Sequence, residues 1–320
     1  MNQSTPLYKQ VTVLGGLGFI GRHVCHALIK NGYRVRIFNR VNPSRPNLIP
    51  DCEVVHGDMA QTSEVIKAIA DADLVFHMIH TTVPGSSMIN PAFDTESNVN
   101  ASIAWLQRLP ETNVKRIVYF SSGGTVYGIA RYNPIDENHP LSPISSYGIT
   151  KLAIEKYIQI YTALAKIDYI ILRPSNIYGA GQRLDIGQGV IGMFARRALS
   201  HQPLEIWGNG TVIRDYLYID DAISAVIALL DYSGPHQIFN LSSGIGYSVL
   251  DIVNVLREQT GSLLQVTYLP ERYFDVPINI LDSTRLRTAT GWQPRKDLEE
   301  GVGQTLEWLK NLKLGKDHNE

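Results

Sequence analysis

The sequence predicts an α/β fold: a doubly wound parallel sheet joined to a smaller mixed α/β domain. Three observations carry that reading. Short apolar runs rich in β-branched and aromatic residues, among them Gln10–Leu14 and Arg116–Phe120, alternate with stretches of helical periodicity, the pattern of strands covered on both faces. The first run passes directly into Gly15-Gly-Leu-Gly-Phe-Ile-Gly21 and then into a helix. Beyond residue 180 the periodicity changes: residues 181–192 are glycine-rich, marking a mobile segment or domain boundary, and the elements after them are short. These features predict a first domain over residues 1–180, a second over 181–320, and a return of the chain to the first near 215–241.

In chain order, the strand Gln10–Leu14 precedes a helix from Phe19 to about Asn31, where Asn31-Gly32 is a C-cap signal, and a second strand runs from Arg34 to Phe38. This strand, glycine turn, helix and strand form the context that a dinucleotide fingerprint requires, so the first domain reads as Rossmann-type. Gly15 allows the tight turn, Gly18 lets the backbone approach a pyrophosphate, and Gly21 lets the helix pack on the strand. The N–H groups at the helix start then favour the anion. The spacing is Gly-x-x-Gly-x-x-Gly, and Asn39-Arg40 follows the second strand where an acidic residue would hold the ribose hydroxyls. Asn39 can hydrogen-bond a ribose without repelling a 2′-phosphate, which Arg40 and Arg45 would attract. NAD is expected, with NADP left open.

A third strand, Cys52–His56, ends in Gly57-Asp58, and Asp58 is placed either to meet an adenine or to cap the next helix. The fourth strand is Asp73–His77. His77 and His80 have no cysteine or carboxylate cluster beside them, so no metal site is expected. Thr81 to Pro91 reads as a loop, and a helix from about Phe93 to Leu109 carries Asn98 in its first turns.

The chemistry concentrates after the fifth strand. Arg116–Phe120 breaks into Ser121-Ser-Gly-Gly-Thr-Val-Tyr-Gly128, at a strand end where ligands of such sheets collect. A helix then carries Tyr147 and Lys151, four apart and so on one face, and continues to about Ala165. A free tyrosine titrates near pH ~10; a neighbouring ammonium favours the phenolate and makes it a usable base toward a sugar or alcohol hydroxyl. With 16 tyrosines in the chain, one such pair arises by chance, and its place after a Ser/Thr-lined strand end is what singles it out. The apolar positions of this helix exceed one narrow stripe, which suits either full burial or a partner subunit.

Asp168–Arg173 is a further buried strand. Short strands at Leu204–Trp207, Arg214–Ile219, Gln237–Leu241 and Leu264–Leu269 follow, with helices after Asp220-Asp221, from Tyr247 to Glu258, from Arg285 to Gly291 and from Leu298 to Leu312. The tail from Lys313 is expected to fray.

Composition narrows the class. Apolar content of 44% and charged content of 18% describe a globular protein, and a net charge of −1 gives no electrostatic case for nucleic acid or anionic membrane. Two cysteines, Cys25 and Cys52, offer no disulfide framework, and no apolar run nears the ~20 residues of a membrane span. A cytoplasmic enzyme is expected.

From Val11 to Leu312 the chain resembles the extended short-chain dehydrogenase/reductases, within them the nucleotide-sugar epimerase/dehydratase group, nearest the UDP-glucose 4-epimerases. The resemblance rests on the glycine run, Gly57-Asp58, Ser121–Gly128, Tyr147-x-x-x-Lys151, Leu172-Arg-Pro-Ser-Asn-Ile-Tyr-Gly179, Gly208-Asn-Gly210, Arg214-Asp215 and Arg272-x-x-Asp275, in order. It implies Tyr147 as acid/base tuned by Lys151, and an NAD site formed by Gly15, Gly18, Phe19, Ile20, Gly21, Asn39, Arg40, Asp58, Met59, Asn98 and Ser121 with that pair. It implies a UDP-sugar held by Asn176, Arg214, Arg272, Asp275 and Asn279, and a homodimer through helices near 93–109 and 145–165. The implied reaction is epimerisation at C4 through a transient 4-keto sugar.

The chain departs from that pattern in three places. Gly123 stands where a catalytic Ser or Thr is usual, leaving Ser122 or Thr125 to supply the hydroxyl. Met78-Ile-His-Thr81 is bulkier than the usual small-residue run. Asn279 replaces a large aromatic, which implies tolerance of N-acetylated sugars. Gly124 and Thr125 occupy the places of a dehydratase's Asp-Glu pair, which argues against dehydration. A 4-ketoreductase, a decarboxylase and a catalytically silent dinucleotide-binding regulator are the other readings.

Overall fold

The computed structural model describes residues 8–41, 49–184, 189–272 and 276–317, with side chains described as far as 312. The chain divides into two compact units. One comprises Met1–Gly128, Pro140–Pro174 and Val226–Phe239; the other comprises Ile129–His139, Ser175–Ala225 and Asn240–Glu320.

The first unit is built on β1 (Gln10–Leu14), α1 (Phe19–Lys30), β2 (Arg34–Asn39), β3 (Cys52–His56), α2 (Thr62–Ile69) and β4 (Leu74–His77). It continues with α3 (Pro84–Ile89), α4 (Pro91–Asp94), a π-helical turn over Thr95–Asn100, α5 (Ala101–Leu106), β5 (Arg116–Phe120), α6 (Ser146–Ala165) and β6 (Asp168–Pro174). The remaining elements are β7 (Asn176–Tyr178), α7 (Val190–Leu199), β8 (Leu204–Trp207), β9 (Ile213–Tyr218), α8 (Ile219–Ala228), β10 (Ile238–Leu241), β11 (Gly246–Ser248), α9 (Val249–Thr260), β12 (Val266–Leu269), β13 (Ile278–Asn279), α10 (Thr284–Thr290) and α11 (Leu298–Asp317).

The large sheet has seven strands in the order β10-β6-β5-β4-β1-β2-β3. The reversal between β4 and β1 is the switch point of a doubly wound fold, where the strands' carboxyl ends leave a crevice. β4 and β5 are buried at every position, so hydrogen bonding and packing both favour their central places. Ile154 and Ile158 of α6 press into this core beside Tyr119, Ile117 and Trp105; each buried aliphatic side chain contributes about 1.5–3 kcal/mol.

In the second unit β9 is central: it pairs with β7 and β13 in parallel and with β11 antiparallel. A separate ribbon pairs β12 with β8. The mixed character expected of the smaller domain is present.

Several local expectations are corrected. Thr81–Pro91 is not all loop, because Pro84 takes the first position of α3, where a missing N–H costs nothing. The helix expected over Phe93–Leu109 is interrupted by the π turn, where the Asn98 side chain takes the Asp94 carbonyl that an α-helix would give to a backbone N–H. The helix expected after Asp220-Asp221 begins before them, at Ile219, so both acids lie in the first turn of α8; Asp221 accepts the backbone N–H groups of Arg295 and Lys296. The closing helix continues to Asp317, past the expected fraying point at Lys313. The helix α7 had no clear signal beside its glycines. Arg45 and Asp275 lie outside the described residues.

Candidate active site

The glycine turn has the shape that the sequence requires. Gly15 adopts φ +94°, and a Cβ on Gly21 would stand 2.3 Å from the Gly15 carbonyl oxygen. The N-cap of α1 is Gly18, with no side-chain cap and no acid in the first turn, so its N–H groups face outward for an anion. Asn39 serves the turn as well: its Oδ1 accepts from Leu17 N at 2.9 Å. These features fit a dinucleotide pyrophosphate. Phe19 and Ile20 are half-buried, Met59 is buried, and Arg40 is exposed. Asp58 is exposed, and one of its oxygens accepts from Ala60 N at 2.9 Å, just ahead of α2.

Tyr147 and Lys151 meet at the end of β5. Lys151 Nζ donates to the Phe120 carbonyl at 2.7 Å and lies 5.6 Å from the centre of the Tyr147 ring. The backbone N–H of Tyr147 donates to Ser87 Oγ at 3.0 Å, so α3 fixes the start of α6. The expected lowering of the phenol is not found. Burial, then the Asp94 charge, raise Tyr147 above the ordinary phenol. Burial also takes Lys151 down to about 7, against the opposing charges of Glu155 and Asp94. Desolvation is the dominant influence on both groups.

Two buried acids flank this pair. Glu155, one turn beyond Lys151, accepts from Ser121 Oγ and forms an ion pair with Arg173 at 2.6 Å. Arg173 Nη1 in turn donates to Tyr127 Oη at 3.0 Å. Asp94 accepts from Thr82 at 2.5 Å, Asn98 at 2.9 Å, Ser146 at 2.7 Å and Thr150 at 3.2 Å. Asn98 also receives the Thr81 N–H at 2.9 Å, and so orders the turn after β4. His80 lies edge-on to Tyr147 with ring centres 4.5 Å apart.

Of the two candidate hydroxyls, Thr125 Oγ1 is buried with no hydrogen-bond partner among the described residues. Its backbone is packed against the first turn of α6, where a Cβ on Gly148 would come within 2.8 Å of the Thr125 oxygen. Ser122 is half-buried. Gly123 N is bonded to the Pro174 carbonyl at 2.8 Å.

In the second unit, Asn176 Nδ2 donates to the Asp215 carbonyl at 3.0 Å, and Arg214 Nη1 donates to the Val276 carbonyl at 2.6 Å. Arg214 and Asn279 are opposite each other in the β9–β13 pair, and Asn279 is fully buried. The Arg272 guanidinium stands 5.4 Å from the centre of the Trp207 ring. Sequence reasoning passed over Trp207, Ser87, Asp94 and the Glu155–Arg173 pair, and weighed His80 only as a metal ligand or a packing and cofactor-loop residue. The signal for Trp207 was an aromatic just ahead of Gly208-Asn-Gly210; the buried acids gave none that one sequence can show. Among the described residues no group of three His, Cys, Asp or Glu is placed to hold a metal. No described helix is long and apolar enough to cross a membrane.

A doubly wound sheet, an uncapped glycine turn and a buried Tyr-Lys pair at the sheet's carboxyl edge together define a dinucleotide-dependent enzyme of the extended short-chain dehydrogenase/reductase class. The chain belongs to the NAD dependent epimerase/dehydratase family, whose profile matches residues 11–242; NAD is the cofactor of that family. A putative UDP-glucose 4-epimerase of Methanocaldococcus jannaschii is 34% identical over 303 residues, covering 94% of this chain and 98% of the relative. The structure of a UDP-glucose 4-epimerase from Thermotoga maritima with UDP-glucose superposes with a TM-score of 0.89 at 30% identity, over 95% of this chain and 99% of that one. A dTDP-4-dehydro-6-deoxyglucose reductase of Escherichia coli is 28% identical, over 94% of this chain and 97% of the relative.

Proposed function

We propose that this protein is a 4-epimerase of UDP-hexoses, interconverting UDP-glucose and UDP-galactose and accepting N-acetylated forms. The observation that carries the proposal is the buried Tyr147–Lys151 pair at the end of β5, with Thr125, whose hydroxyl is buried and unpartnered among the described residues, packed by its backbone carbonyl against the same helical turn. The glycine turn with Asn39, Asp58, Met59, Asn98 and Ser121 would hold NAD, which would supply the chemistry of reversible hydride acceptance. Tyr147 holds and returns the proton of the C4 hydroxyl, Thr125 orients that hydroxyl, and Lys151 offsets charge on the phenol. Asn176, Arg214, Arg272 and Asp275 hold the UDP moiety, for which Arg offers a planar fork of donors. The 4-keto sugar must turn over between the two transfers, so the diphosphate is the anchor.

The similarity to a 4-keto sugar reductase supports a second reading, net reduction at the same carbon. Incubation with UDP-galactose separates the two. An epimerase forms UDP-glucose with no net NADH consumed, and Tyr147→Phe lowers the rate about 10²–10⁴-fold. Failure to interconvert the sugars, with one NADH consumed per molecule of an added nucleotide-linked 4-keto sugar, establishes the reductase instead.

We also propose a homodimer. Ile149, Ile160 and Leu164 of α6 are 57%, 51% and 73% exposed, as Phe93 of α4 is 50%, and Ile149, Ile160 and Leu164 repeat at helical spacing. Light scattering gives twice the chain mass for the wild type and a smaller mass for Ile160→Glu/Leu164→Glu.

A further inference from the structure

We propose that Asp94 is a positioning residue for the Tyr147–Lys151 pair, a buried carboxylate that grips the first turns of α6 and whose negative charge holds the pair's proton. The proposal rests on the reading of Tyr147 as the acid/base.

Two geometric facts carry it. Asp94 Oδ2 accepts from Ser146 and Thr150, the residues immediately before Tyr147 and Lys151, so one carboxylate oxygen spans a full turn of the helix. Asp94 Oδ1 accepts from Thr82 and Asn98, which ties that helix to the turn after β4. The side chain is completely buried, and all four hydrogen-bond donors are neutral. Burying an ion without a cation in contact is unfavourable, and a neutral amide could span the same partners. The charge itself therefore has a use.

The groups facing the pair identify that use. From β4 comes His77 and from the turn after it His80, both taken down by burial and the Lys151 charge, to about 3 and about 4, and so neutral at working pH. His80 Nε2 stands 3.6 Å from Asp94 Oδ1. From β5 comes Tyr119, which burial keeps neutral. Glu155, on α6 itself, has its charge matched by Arg173 of β6 at 2.6 Å. Asp94 stays ionised, held at about 2 by its His80, Thr82 and Ser146 contacts against burial. It is thus the acid near the pair whose charge no touching guanidinium matches.

A nearby negative charge tightens the hold on a proton whether the phenol or the amine carries it. Removing the charge makes the pair release its proton at lower pH. Asp94→Asn removes the charge and keeps the shape, since the surrounding hydroxyls can turn to accept from the amide. Thr150→Val removes one hydrogen bond and leaves the charge.

The measurements are pH profiles of kcat for wild type, Asp94→Asn and Thr150→Val. Alongside them, the phenolate absorbance of the ligand-free protein is titrated, with Tyr147→Phe subtracted. In Asp94→Asn both limbs and the Tyr147 titration should move down by about one pH unit, a tenfold change in proton concentration. In Thr150→Val they should stay in place or move up, whatever happens to the maximal rate. Unmoved limbs in Asp94→Asn, or a downward move in Thr150→Val, overturn the proposal; the second arm serves if Asp94→Asn does not fold. Wild-type turnover by Tyr147→Phe would instead refute the reading of the site, and the absorbance titration still decides whether Asp94 acts on the phenol.

Discussion

Lys151 donates to the carbonyl of Phe120 at 2.7 Å, and so the helix that carries Tyr147 is fastened to the last residue of the central strand β5. The amine is completely enclosed there, and burial has taken it down to about 7, where ammonium and free amine coexist. The phenol beside it is raised by the same desolvation. The two groups therefore share one desolvated site, with the ammonium 5.6 Å from the centre of the phenol ring.

That proximity predicts non-additive losses. Lys151→Met and Tyr147→Phe should each lower kcat about 10²–10⁴-fold, and the double variant should be no slower than the worse single one. Steady-state rates for the three variants check this, with circular dichroism to confirm folding. A double variant slower by the product of the two effects would mean that the residues act separately.

The ion pair beneath them makes a stability prediction. Glu155 and Arg173 are 0% and 2% exposed at their side chains, so Glu155→Gln leaves a guanidinium buried without its counter-charge. The expected cost is about 3–5 kcal/mol, whereas Glu155→Leu combined with Arg173→Met should recover most of it. Urea denaturation of the three proteins tests this. A double variant as unstable as Glu155→Gln would show that the pair's hydrogen bonds to Ser121 and Tyr127, not its charge balance, hold the strand ends.

How far the sequence could be read depended on whether a signal was local. The glycine turn, β5 and the Tyr147–Lys151 spacing are written in adjacent residues, and those elements lie where the pattern puts them. The π turn could not be read that way, because it depends on Asn98 finding the Asp94 carbonyl in three dimensions. The same holds for Asp94, two of whose hydroxyl partners come from residues 52 and 56 positions away. Neither does sequence spacing report desolvation, which is why the phenol's shift was expected with the wrong sign. Asn39 was read toward the ribose, and its bond to Leu17 N adds a role in bracing the turn.

His77 and His80 give the protein a predictable acid response. Both are neutral in the fold, at about 3 and about 4, while an unfolded histidine titrates near ~6.5. Below pH ~6.5 the unfolded chain binds more protons than the folded one, so stability is complete above that value and falls as pH drops toward 4. At about 1.4 kcal/mol per unit for each group, the pair would remove up to roughly 5 kcal/mol between pH 6.5 and 4.5. His80→Gln should flatten the dependence by about half. Thermal midpoints recorded from pH 7.5 to 4.5 supply the test, and an unchanged slope in His80→Gln would show that this ring is not held neutral.

Asn279 tests substrate choice in the second unit. It stands opposite Arg214 in the β9–β13 pair and is fully buried, so the position presents a small amide where the resemblance has a large aromatic ring. A bulky ring there would compete for the space of an N-acetyl group, and a hydrophobic mismatch of this kind discriminates by about 10–200-fold. The wild type should turn over UDP-N-acetylglucosamine as well as UDP-glucose. Asn279→Tyr should lose at least about tenfold in kcat/KM on the acetylated sugar while changing little on the other. Overpacking alone would cost about 1–3 kcal/mol of stability and slow both substrates equally, so the ratio of the two rates is the deciding quantity. A wild type that accepts UDP-glucose and rejects UDP-N-acetylglucosamine would remove residue 279 from the account of specificity.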